Sequence, residues 1–259
     1  MRRLVPSVLV LDEATSTNDV LADLVRDGDE PHGATVLTLN QTAGRGRLGR
    51  VWVAPPGKTL AASVLLRPSL DGRPLAPDRL GWLPLIAGVA MSVSIDSLVG
   101  DGRTGLKWPN DVQVDGLKVC GVLAELTSGG LIVGTGVNLT LAADELPVPT
   151  ATSLALAGVD DPDGDLVDRV LAGYLESLQE LLDRFLAAGA DASASGIHRA
   201  VSEWCRTLGR QVRVSLPGGS DLFGVAVGID PTGCLMVRVE SDGSVAAVAA
   251  GDVTHLRYE

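Results

Sequence analysis

Gln41-Thr-Ala-Gly-Arg-Gly-Arg-Leu-Gly-Arg-Val-Trp52 sets Arg45, Arg47 and Arg50 among Gly44, Gly46 and Gly49. Glycine frees the backbone and offers nothing to pack, so the stretch reads as an exposed, mobile, cationic loop. No acidic residue occurs between Glu30 and Asp71, whereas Arg45, Arg47, Arg50, Lys58 and Arg67 all fall there, in a chain of net charge −11. A local positive field in an acidic protein suits an anionic ligand. A solvated surface loop has the same composition, so the rest of the chain must decide.

Ala34 to Asn40, just before the loop, alternates β-branched and apolar residues and reads as a strand; Leu60 to Arg67 reads as another after it. Further upstream, Val8 to Leu11 is a strand candidate. Ser16 or Thr17 then caps a helix whose apolar positions Val20, Leu21, Leu24 and Val25 recur at helical spacing before Gly28. Ser16-Thr17-Asn18 could also face a polar, uncharged ligand group. Downstream, the apolar run Trp82 to Val99 contains Pro84, serines and Asp96 and reads as a buried amphipathic helix rather than a membrane span.

Gly105-Leu-Lys-Trp-Pro-Asn-Asp-Val112 is a second dense cluster, and Pro109 bars a helix there, leaving Lys107 and Asp111 on an extended or turn segment. Asp115-Gly116 between alternating runs is a hairpin signature. Counting by twos places Lys118 on the face of Cys120 and Val122, partly buried. A lysine there needs an anion beside it. Leu131 to Leu139 follows a turn as a third strand, with Gly134 and Gly136 permitting close approach and Asn138 closing it. An acidic, proline-bearing loop leads to a long amphipathic helix at Leu166 to Ala188 and a further helix at Gly196 to Leu208. Past Gly209 only short strands remain, at Gln211 to Ser215, Gly224 to Ile229, Leu235 to Glu240 and Ser244 to Ala249. The expected organisation is an α+β catalytic domain at 1–207, a mixed sheet with helices, and a small β-barrel at 208–259.

Apolar residues make up 46% of the 259-residue chain and aromatics 3%, enough for a sizeable core built from Ala, Val and Leu. Cys120, Cys205 and Cys234 lack a paired spacing, which argues against disulfides or zinc and for a reducing, cytoplasmic setting. His32, His198 and His255 are isolated. No signal peptide precedes Asp12. The net charge argues against general nucleic-acid or anionic-membrane binding.

No nucleophile set, P-loop or dinucleotide fingerprint accompanies these cations. A site that only gathers cations suits two substrates that carry the reacting groups themselves. A carboxylate attacking the α-phosphate of ATP fits, since its barrier falls through positioning and charge neutralisation. The loop would order over the product and shield an acyl-adenylate from water.

Ser16-Thr17-Asn18, the Gly-Arg-Gly-Arg-x-Gly-Arg core of the loop, Lys107-Trp-Pro-Asn-Asp111, Lys118 and Gly134-x-Gly-x-Asn138 together resemble the biotin protein ligase family. The terminal strands resemble that family's SH3-like domain, and the first part its class II synthetase-like fold. The resemblance implies formation of biotinyl-5′-AMP from biotin and ATP, then transfer of biotin to a lysine of the biotin carboxyl carrier domain of an acetyl-CoA or acyl-CoA carboxylase. It implies that Ser16, Thr17 and Gln41 bind the ureido group, that Asn18 orients loop or substrate tail, and that Gly44 and Gly121 complete the biotin pocket. Arg45 and Arg47 would lie near the biotin carboxylate and phosphates, and Arg50 near the phosphates. Trp52 would flank adenine or fold over the ligand. Lys118 would bridge the carboxylate and α-phosphate. Lys107, Asn110 and Asp111 would act around the phosphates and Mg²⁺, with Asp111 the candidate metal ligand, and Asn138 would contact the nucleotide.

Leu48 and Val51 stand where many members carry polar or basic residues, so loop closure here rests on fewer charges. The chain begins close to the catalytic motifs, so a ligase without DNA binding is expected. A lipoate ligase, or a non-catalytic module sensing biotinyl-AMP, are the alternatives.

Overall fold

The computed structural model describes residues 7–28, 30–52, 54–216, 219–249 and 251–256, apart from the side chain of Leu48. Strand β1 (Val8–Leu11) leads to helix α1 (Thr17–Asp27), which Ser16 caps by accepting the Asp19 N–H. β2 (Thr35–Thr38) then delivers the loop, where the short strands β3 (Gly44–Arg45) and β4 (Val51–Trp52) pair with each other. β5 (Thr59–Leu66) follows, then a two-residue ribbon of β6 (Ser69–Leu70) and β7 (Arg73–Pro74), a single turn α2 (Pro77–Leu80) and the helix α3 (Trp82–Val99). Next come β8 (Thr104–Lys107), β9 (Asp111–Val114), β10 (Leu117–Thr127) and β11 (Gly130–Asn138), then the helices α4 (Leu166–Ala187) and α5 (Ile197–Trp204). The chain ends in β12 (Gln211–Ser215), β13 (Asp221–Ile229), β14 (Leu235–Val239), β15 (Val245–Val248) and β16 (Asp252–His255).

Seven strands form one mixed sheet in the order β1-β2-β5-β11-β10-β9-β8, parallel only between β1 and β2. Alternation sorts the residues of β5 and β11 between two faces. Leu60, Ala62, Val64, Val133 and Val137 join the core under α3 and α4, while Leu65 and Ile132 pack beneath α1 with Leu21 and Val25. α1 is too short to cover its whole face. The uncovered part, over β11, β10 and β9, becomes the cleft.

Helix α3 departs from expectation. From Trp82 to Ile95 all its residues but Pro84 and Val93 are buried, since it lies between the sheet and α4, so it has no polar face. It is long and apolar enough to cross a membrane by composition, but most of it is buried inside this fold. The last expected helix is also shorter. Beyond Trp204 the chain turns extended: Cys205 bridges Leu106, and Arg206 donates to the carbonyls of Gly102 and Thr104, screening the outer edge of β8.

The five terminal strands form an antiparallel sheet in the order β15-β14-β13-β12-β16, consistent with an SH3-like domain. Four of them match the expected strands, and the fifth, β16, has a sequence, Asp252-Val-Thr-His, too short and polar to stand out. Three ring nitrogens anchor this sheet by meeting carbonyls at the end of β13 and in the β13–β14 turn: His198 Nε2 to Ile229 at 2.7 Å, Trp82 Nε1 to Pro231 at 2.9 Å and Trp108 Nε1 to Gly233 at 3.1 Å. The apolar core runs from α3 into Val212, Val214, Leu235 and Val237 without a break.

A further correction concerns Lys118. The β9–β10 register shifts between Lys118 and Cys120, leaving Val119 unopposed as a bulge. Val119 and Cys120 both enter the core, and Lys118 turns to the opposite face beside Gly121. The bulge breaks the count by twos that put Lys118 with Cys120 and Val122.

Candidate active site

A cleft of about 1400 Å³ opens on the part of the sheet that α1 leaves bare. Ser16, Thr17, Asn18, Gln41, Arg45, Arg47, Arg50, Trp52, Lys107, Asn110, Asp111, Lys118, Gly121 and Asn138 all line it. Gly44 lies behind the wall, packed so tightly between the Gln41 amide and the Trp52 backbone that any side chain would collide.

One end is polar and uncharged. Gln41 Oε1 accepts from the Thr17 N–H at 2.9 Å, which ties the start of the loop to the start of α1. The Ser63 hydroxyl, on β5 facing α1, lies 2.7 Å from Thr17 Oγ1 and 2.6 Å from Asn18 Oδ1. The Asn18 amide donates to Glu125 Oε2 at 2.6 Å, and its side chain fills the space a Cβ at Gly134 would need. Every member is fixed by a neighbour on another element, as a preorganised polar site requires.

The floor comes from β11, β10 and β9. Along β11, this face of the sheet reads Ile132 beneath α1, then Gly134, Gly136 and Asn138 in the cleft, passing from core to bare backbone to amide. The Trp52 indole lies on Gly136, where a Cβ would sit 2.8 Å from its ring, and the Lys118 ammonium stands 5.5 Å from the ring centroid. Trp52 Nε1 is buried without a partner among the described residues. Lys118 Nζ pairs with Asp111 Oδ1 at 2.6 Å, and Lys107 Nζ lies 3.9 Å from the same carboxylate. Asn110 points its amide N–H at the Val122 carbonyl and its oxygen at Arg47. Asn138 donates to the Thr152 carbonyl at 2.8 Å.

The three loop arginines differ in their partners. Arg45 makes a bidentate pair with Asp19 and also reaches Glu125 at 3.2 Å; the hydrogen bond to Asp19 holds its proton even more firmly than usual. Arg50 pairs with Asp252 of β16, and that hydrogen bond likewise strengthens its hold on the proton. Among the described residues Arg47 hydrogen-bonds only the neutral Asn110 oxygen, at 3.3 Å, and burial lowers its affinity for the proton against the pull of Asp111 and Asp252. Lys58, counted among the cations of the segment, is taken up by Glu145 at 2.5 Å.

Residues 10–141 match the biotin/lipoate A/B protein ligase family, and residues 207–256 match the biotin protein ligase C terminal domain. The chain belongs to the biotin/lipoate A/B protein ligase family. A biotin–[acetyl-CoA-carboxylase] ligase of Mycobacterium tuberculosis is 37% identical, over 96% of this chain and 88% of that one. The Aquifex aeolicus biotin protein ligase, solved with biotin and ATP, superposes with a TM-score of 0.75 at 27% identity, covering 98% of this chain and 100% of that one. The Leishmania major biotin protein ligase with biotinyl-5-AMP gives a TM-score of 0.60 at 26% identity, covering 95% and 99%.

Four residues that brace the cleft or its loop lie outside the sequence motifs. Ser63 was hidden inside a strand called only for its apolar neighbours, although a serine opposite Thr17 on an otherwise apolar face was a usable signal. Asp19 looks in the sequence like an ordinary acidic residue of a helix's first turn. Glu125 and Asp252 carried no motif, and only the fold brings them to Arg45 and Arg50.

Proposed function

We infer that the chain joins biotin to ATP, giving biotinyl-5′-AMP and pyrophosphate, and then passes biotin to a lysine of the biotin carboxyl carrier domain of an acyl-CoA carboxylase. The observation that carries this reading is the Lys118–Asp111 pair on the floor, set between the uncharged wall of Thr17 and Gln41 and the cations Arg47 and Lys107. Biotin has an uncharged head and an anionic tail, and ATP brings further anionic groups. The cleft offers matching chemistry in that order.

In the first step a biotin carboxylate oxygen bonds to the α-phosphorus while the bond to the β-phosphate oxygen breaks, releasing pyrophosphate. Both reactants are negative, so a fixed ammonium beside the reacting oxygens lowers the barrier electrostatically. We assign that role to Lys118. Asp111 keeps the ammonium on the floor, and the missing side chain at Gly121 leaves room for it. Arg47, the loop arginine without a carboxylate partner among the described residues, is the cation best placed to accept phosphate charge, and Arg50 and Lys107 support it. In the second step the acceptor amine attacks the acyl carbon, AMP leaves, and the amine proton passes to phosphate or water.

Mg²⁺ fits as an ion carried in by ATP. Asp111 would supply one hard oxygen ligand, no cluster of three His, Cys, Asp or Glu side chains able to hold a metal occurs among the described residues, and nucleotide-borne Mg²⁺ needs only one or two protein carboxylates. When bound it would neutralise phosphate charge. We assign residues 1–207 to the catalytic part and 208–259 to the C-terminal module, and a cytoplasmic setting is supported by the free Cys120, Cys205 and Cys234. No role for DNA or a membrane enters the proposal.

The test is to incubate the protein with biotin, MgATP and a carrier domain and to weigh the acceptor by mass spectrometry. One added biotin is expected. An unmodified acceptor together with no biotin-dependent ATP–pyrophosphate exchange would refute the reading, and modification by lipoate instead of biotin would move the chain to the lipoate branch of its family.

A further inference from the structure

We propose that Glu125 and Asp19 are positioning residues that hold the arginine loop shut over the adenylate through Arg45. The inference rests on the proposed adenylation and gives Arg45 a different task from the one its motif suggests.

The geometry joins three elements. Asp19 sits in the first turn of α1, Arg45 on β3 in the loop, and Glu125 on β10, on the face that also carries Gly121. Arg45 meets Asp19 through two nitrogens and Glu125 at 3.2 Å. One positive charge therefore faces two carboxylates, leaving that group of three with a net negative charge. A guanidinium so compensated has little attraction left for a phosphate or carboxylate ligand. Neither Asp19 nor Glu125 lines the cleft, so both act on the loop from behind it.

Glu125 carries a second contact that makes the arrangement more than a surface ion pair. Its Oε2 accepts the Asn18 amide at 2.6 Å, and the other end of Asn18 is held by Ser63. The carboxylate that grips Arg45 is thus oriented by the wall assigned to the biotin head group. Both ion pairs of the loop arginine are charge-assisted and half-exposed, so they are sensitive to salt.

The test uses the full chain with radiolabelled biotin, MgATP and pyrophosphatase, without acceptor, and follows escape of adenylate from the protein by rapid gel filtration alongside ATP–pyrophosphate exchange. Asp19→Asn and Glu125→Gln should each shorten retention about fivefold, the effect of a strong exposed ion pair. The exchange kcat should stay within about twofold, because neither residue touches the reacting atoms. Glu125→Gln keeps an oxygen for Asn18, so its effect reports the loss of charge at Arg45. Asp19→Glu should restore retention, and raising salt should shorten it in the unmodified protein but less in the variants. Unchanged retention in both variants, or lost exchange with unchanged retention, overturns the proposal. An unmodified protein that forms no adenylate overturns the adenylation reading itself, and the inference with it.

Discussion

Lys118 and Asp111 meet at 2.6 Å across neighbouring strands, and the bulge at Val119 is what brings the lysine to that side of the sheet. With the regular pleat, the ammonium would point into the core occupied by Cys120 and Val122. Lys118→Ala should lower biotin-dependent ATP–pyrophosphate exchange by about 100-fold or more, as expected for removing a preorganised electrostatic group. Thermal unfolding should barely move, because the side chain is partly exposed. An exchange rate within tenfold of the unmodified protein would remove Lys118 from the centre of the chemistry.

Gly136→Ala places a methyl 2.8 Å from the Trp52 ring. The indole must then lift from the floor, carrying β4 with it. Overpacking of this kind costs about 1–3 kcal/mol. We expect a shift in tryptophan fluorescence and a higher KM for ATP, with kcat less affected. Identical emission and KM would show that the loop tolerates the shift.

Acid should loosen the contact between the loop and the terminal sheet. Burial alone would push the Asp252 carboxyl up, but the Arg50 hydrogen bond and charge outweigh it and hold the group below its ordinary range. A carboxyl depressed in the folded state contributes stability above its unfolded value of about 3.9, and loses it as pH falls through the folded value. For so exposed a pair the contribution is about 0.5–1 kcal/mol. Protection factors of the loop amides, corrected for the intrinsic exchange rate at each pH, should fall below about pH 4, and Asp252→Asn should show that lower protection already at pH 7.

Thiol labelling should separate the cysteines. Burial pushes the Cys120 thiol up to about 12 and raises that of Cys205 as well. Cys234, half-buried in the terminal sheet, should react first with a thiol reagent at pH 8, and the other two only on unfolding. Three equally fast thiols would contradict the packing of both buried groups.

Most elements that carry the site were legible because their signals are local. The Asp115-Gly116 turn, the Pro109 break and the paired glycines of β11 announce themselves within a few residues. What was not legible depends on distance or on one inserted residue. Arg45 finds its carboxylates 26 and 80 residues away, a pairing that only the sheet order creates. The bulge at Val119 has no composition of its own, so counting by twos put Lys118 on the wrong face. The side chain of Leu48 lies outside the described residues, and its part in loop closure rests on the motif alone.

The grip of Trp82 and Trp108 on the β13–β14 turn bears on how this chain can be cut. Trp108 lies between Lys107 and Asp111, so the pentapeptide that furnishes the cleft also bolts down the C-terminal sheet. A truncation near residue 210 would strip both indoles of their carbonyl partners and uncover the apolar surface they share with Val212 and Leu235. The shortened protein would be prone to aggregate, so its inactivity could not be read as evidence of a catalytic role for the missing strands. Point substitutions that leave the turn in place are the means to dissect this module.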